Sequence, residues 1–63
     1  MSKKELFEYL DWYHFVDESE VYGAVLDYFA EYWEIFYPSW WEVFYASKIA
    51  DEYMQDRKLT FNN

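Results

Sequence analysis

The stretch that most constrains this chain is residues 17–37, DESEVYGAVLDYFAEYWEIFY. Read at about 100° per residue, it is a helix with one acidic stripe and apolar side chains over nearly all the remaining circumference. Glu20, Asp27, Glu31 and Glu34 fall within about 60° of one another on that wheel. Val25, Phe29, Phe36, Tyr22 and Trp33 oppose them. Val21, Tyr28, Tyr32 and Ile35 widen the apolar arc on one flank, and Leu26 and Tyr37 widen it on the other. A helix this apolar has to be covered on two sides, by its own neighbours or by another chain.

The neighbours are marked by repeated local chemistry. Ser2 with Glu5, Asp17 with Glu20, and Ser39 with Glu42 each place a capping residue three positions before a glutamate. That reciprocal arrangement satisfies two orphan backbone donors at a helix start. Pro38 cannot continue a helix before it and is placed to pack on Val43 as a hydrophobic staple. Helices are therefore predicted over residues 3–15, 18–36 and 40–57, with a loose tail at 58–63. Short links make sequential helices antiparallel neighbours. The predicted fold is all-α, a compact three-helix up-down-up bundle forming one domain. Leu6, Leu10, Tyr13 and Val16 face its core from the first helix, with Phe7 and Tyr9 at the margins. Val43, Ala46, Ala50, Tyr53 and Met54 do so from the third. Gly23, Ala24 and Ala30, like Ala46 and Ala50, are expected to permit close helix approach.

Sixty-three residues without a cysteine make a small core with nothing to staple it. Aromatic residues are 29% of the chain, more than such a core encloses, so some rings are expected at an interface. A homodimer is the expected remedy. Thirteen acidic residues against five basic ones give a net charge of −8. That argues against direct binding to nucleic acid or to an anionic membrane, both of which need positive charge. Ser2-Lys3-Lys4 is followed by Glu5 and not by an apolar core, and the uncharged run 35–41 is too short to span a bilayer. The expected location is cytoplasmic.

Catalytic chemistry has little to stand on. One His, one Gly and no Cys leave no thiol nucleophile, phosphate-cradling loop or zinc motif. Asp11-x-x-His14 superficially matches half of a helical carboxylate–histidine metal site, but the remaining carboxylates lie on solvent-facing stripes. His14 reads as a boundary histidine. No enzyme activity, cofactor or metal is expected.

The acidic rows are the stronger lead. Steps of three or four residues on a helix advance about 4.5–6 Å, close to the several-ångström spacing of successive phosphates. Glu20, Asp27, Glu31 and Glu34 make one row. Glu5, Glu8 and Asp11 make another, extended through the turn by Asp17 and Glu18. Asp51, Glu52 and Asp56 add a cluster on the third helix. Few lysines interrupt them, and like charges so spaced repel. Separately, Trp33, Phe36, Tyr37, Trp40, Trp41, Phe44 and Tyr45 surround Pro38. Trp and Tyr are enriched among interface hot spots, so Trp33, Tyr37, Trp40, Trp41, Phe44 and Tyr45 are candidate anchors for a partner or a second copy.

In size, acidity and lack of cysteine or catalytic motifs, the chain resembles the small acidic inhibitor proteins encoded by phages and other mobile elements. These act against restriction enzymes, CRISPR effectors or other host nucleic-acid enzymes. The resemblance is one of general type and transfers no binding residue. It implies an inhibitor that blocks a basic, nucleic-acid-binding surface of a host protein. In the alternative, a helical adaptor binds through its aromatic face and uses its charge for solubility.

Overall fold

The computed structural model describes residues 3–35 and 37–61. Among these residues it contains three helices and no strand: α1 (Lys3–Asp11), α2 (Glu18–Tyr32) and α3 (Trp40–Asp56). The starts follow from the capping residues. Asp17, in extended backbone, accepts from the Glu20 N–H at 3.0 Å and from the Ser19 hydroxyl at 2.6 Å. The Glu20 carboxylate turns back to accept from the N–H groups of Val16 at 2.7 Å and Asp17 at 3.3 Å. At α3 the Ser39 N–H donates to Glu42 Oε2 at 3.0 Å, and the Ser39 hydroxyl meets the same carboxylate. Ser2, the proposed cap of α1, lies outside the described residues.

The ends come earlier than the sequence predicted. α1 stops at Asp11, not at residue 15, and tightens into i→i−3 bonds from Trp12 to Tyr9 (3.2 Å) and Tyr13 to Leu10 (3.1 Å). The chain then uses residues 12–17 to reverse towards the cap of α2. Tyr13 and Val16 are consequently exposed and not core residues. α2 stops at Tyr32, not at residue 36. Glu34 adopts φ 56°, and the N–H groups of Trp33 (3.0 Å) and Ile35 (3.1 Å) both return to the Phe29 carbonyl. Pro38 disfavours helical backbone only in Tyr37 before it, so the stop at Tyr32 belongs to the left-handed turn at Glu34. Phe36, expected on the apolar arc, lies outside the described residues.

α3 ends in a Schellman motif. Lys58 takes φ 57°, its N–H bonds the Gln55 carbonyl at 3.2 Å, and the Leu59 N–H bonds that of Met54 at 2.9 Å. The turn folds Leu59 and Phe61 back onto the core, so the described part of the tail is not loose.

Leu6 and Leu10 of α1, Val21, Val25, Tyr28 and Phe29 of α2, and Ala46, Ile49, Ala50 and Tyr53 of α3 form the core. α2 lies between the other two helices and packs against both. Ile49, which the sequence reading left out, joins the core, whereas Val43, which it placed there, is more than a third exposed. A Cβ placed on Gly23 would meet no heavy atom within 4 Å, so close helix approach is not what that glycine serves.

α1 and α3 meet along a polar seam. Phe7 packs edge-on to Tyr53 with ring centroids 5.3 Å apart, and Lys3 pairs with Glu52 at 2.9 Å. At the far end Arg57 grips Asp11 through Nε (3.0 Å) and one terminal nitrogen (2.9 Å) while lying over the rings of Phe7 and Tyr53. The seam uses only the second half of α3. Nine residues of α1 span about 13 Å against about 25 Å for the seventeen of α3. The first turns of α3 therefore project past α1. No helix among the described residues is long and apolar enough to cross a membrane.

Candidate functional site

The described ion pairs, Lys3–Glu52, Arg57–Asp11 and Arg57–Asp56, all lie on α3 or on its seam with α1. Three of the chain's five cations face other work than the α1–α2 side: Lys3 and Arg57 in these pairs, and Lys58 in the turn that ends α3. On the α1–α2 side the acidic rows of two helices converge. Glu8, Asp27 and Glu31 are exposed there, and none of them enters a described ion pair.

Between the rows runs a ladder of tyrosines. The Tyr13 and Tyr9 ring centroids are 5.2 Å apart, Tyr9 and Tyr28 are 5.1 Å apart, and Tyr28 and Tyr32 are 4.7 Å apart. The Tyr13 and Tyr9 hydroxyls share a hydrogen bond at 3.0 Å. That bond, then burial, then the nearby carboxylates of Asp27 and Glu31, hold the Tyr9 phenol well above its ordinary pKa. Burial, then the charge of Glu5, also raises the Tyr28 phenol. An open depression here is lined by Glu5, Glu8, Tyr9, Trp12, Tyr28 and Tyr32. A second is lined by Tyr13, His14, Glu20, Gly23 and Asp27, among others. Ring faces carry negative quadrupole charge, so rings bordered by carboxylates suit a cationic side chain, arginine above all.

Not every expected acidic residue belongs to this face. Glu34 has left the helix, so it does not extend the α2 row. The Glu20 carboxylate is committed to the cap of α2. Asp11 is tied to Arg57 and accepts from the Tyr53 hydroxyl at 2.7 Å. With Asp11 so engaged, the Asp11–His14 pair is not poised for a metal, and the described residues contain no group of three potential metal ligands. The face is thus built on Glu5, Glu8, Asp27 and Glu31. The tyrosine ladder was not anticipated, although its i, i+4 spacings, Tyr9–Tyr13 and Tyr28–Tyr32, stand in the sequence.

The aromatic residues around Pro38 divide in two. Trp33 stacks on Phe29 with centroids 4.3 Å apart, and Tyr45 continues the stack at 6.4 Å from Trp33. Trp33 closes the end of the core and is not a free anchor. Tyr37, Trp40, Trp41 and Phe44 take no part in that stack and remain exposed.

Comparison with protein-family models, curated proteins and solved structures finds no match to this chain.

Proposed function

We propose that this chain is a non-catalytic inhibitor that covers a basic, nucleic-acid-binding surface of another protein, in the manner of the anti-defence proteins of mobile elements. The observation that supports this most is the partition of charge. Two of the five cations, Lys3 and Arg57, are paired on the α1–α3 side, while two helices present Glu5, Glu8, Asp27 and Glu31 around a tyrosine ladder on the other. Carboxylates a helical turn apart offer a groove the negative charge it expects from phosphates. Trp12, Tyr32 and the half-buried Tyr9 offer its arginines flat rings to lie against. Inhibition is steric and competitive.

The test is retention of host proteins on the immobilised chain, compared with a Glu8→Gln, Asp27→Asn, Glu31→Gln variant, at salt from about 0.01 M to about 1 M. Over that range the screening length falls from about 30 Å to about 3 Å. Basic nucleic-acid-binding proteins should be retained at low salt, released at high salt and lost with the variant. Retention indifferent to both salt and variant would overturn the proposal.

A further inference from the structure

The exposed start of α3 calls for a different occupant. Tyr37 is 96% exposed, Trp40 79%, Trp41 59% and Phe44 60%. With aromatic side chains offering about 150–250 Å² each, these four present on the order of 600 Å² of ring surface. That is at the upper end of the largest patch found on an ordinary monomer. The first turn of α3 is held by its own bonds. The Glu42–Ser39 bonds fix the first turn, the Val43 N–H bonds the Ser39 carbonyl at 3.1 Å, and Trp40 packs edge-on to Trp41 at 6.2 Å.

Charge decides what can cover it. Residues 35–47 contain a single charged residue, Glu42, whose carboxylate is turned onto Ser39. A basic partner finds nothing to grip here and a strong attraction on the α1–α2 side. A second copy of this chain, itself at −8, meets repulsion where carboxylates oppose carboxylates. The start of α3 is the surface where two such acidic molecules can touch without that opposition.

We infer that Tyr37, Trp40, Trp41 and Phe44 form a two-fold homodimer interface, α3 start against α3 start, leaving both acidic faces outward. An isologous contact of this kind uses the same patch twice. Two copies of about 600 Å² give about 1,200 Å², within the range of specific interfaces. The assembly is bivalent, carrying two copies of the acidic face on one particle.

Sedimentation velocity from about 1 μM to about 1 mM tests this. The expected species at the upper end has twice the 7.9 kDa chain mass. Trp40→Ser with Trp41→Ser, and separately Tyr37→Ser in the link outside the helices, should each raise the dissociation constant at least about tenfold, the loss expected from a hot-spot side chain. Their helical circular dichroism should stay that of the parent. Added salt should leave the association unchanged or strengthen it, opposite to binding through the acidic face, so either reading can fail alone. A monomer across the whole range, a dimer untouched by both variants, or a dimer that dissociates as salt rises would overturn the inference.

Discussion

At the scale of the residue, the most informative group is Asp11. Its sequence position suggested a free member of an acidic row. The structure spends it on Arg57 and Tyr53, more than forty positions away, a partnership no local spacing announces. The Arg57 guanidinium, then the Tyr53 hydroxyl, hold the Asp11 carboxyl below its ordinary pKa. Glu52 is lowered likewise by Lys3, Asp17 by Ser19 and the Glu20 N–H, and Glu42 by Ser39. A carboxyl with a depressed folded pKa contributes stability that is complete above the unfolded value, about 4, and lost as pH falls through the folded one. Denaturant midpoints should therefore be level above about pH 5 and fall below about pH 4, less steeply in Asp11→Asn. Burial, then the bond to Asp11, pushes the Tyr53 phenol up to about 12. Its contribution is present below about pH 10 and disappears as pH rises through that raised value. Tyr53→Phe removes the bond and should cost about 1 kcal/mol by equilibrium unfolding.

At the scale of the element, helix starts were legible, as was the end of α3 to within one residue, but the ends of α1 and α2 were not. The starts of α2 and α3 are written in side chains, Asp17–Glu20 and Ser39–Glu42, and the structure uses them. The turns that close α2 and α3 pass through Glu34 and Lys58, ordinary residues in a left-handed conformation that usually calls for glycine. The glycine the chain does possess sits inside α2, with space around it. Gly23→Ala should stabilise by about 0.5–1 kcal/mol, and Lys58→Gly by a comparable amount, because each puts the favoured residue type in place. Thermal unfolding of the two variants measures both. The same helix carries Asp27 and Glu31 one turn apart on its exposed side, where like charges cost a few tenths of a kcal/mol. Asp27→Asn with Glu31→Gln should leave the fold as stable or slightly more so while weakening partner binding. A loss of stability would place these carboxylates in the architecture and not in recognition.

At the scale of the whole molecule, the mismatch in helix length explains the layout. A short α1 covers only half of α3, so the core ends near the Phe29–Trp33–Tyr45 stack and the aromatic start of α3 runs on without cover. Composition revealed the surplus of rings but not their division. Trp33 looked as available as Trp40 until the end of α2 was placed. The net charge was equally plain from the sequence. Its distribution depends on which carboxylates the few cations reach across the bundle, and that is a property of the fold alone. The proposed function requires the acidic α1–α2 face to take the place of nucleic acid. A captured basic partner, loaded with labelled duplex DNA and titrated with this chain while fluorescence anisotropy is followed, tests that claim most directly. The DNA should be released in proportion to binding, and the Glu8→Gln, Asp27→Asn, Glu31→Gln variant should fail to release it. A ternary complex, in which the chain binds and the DNA stays, would contradict the account.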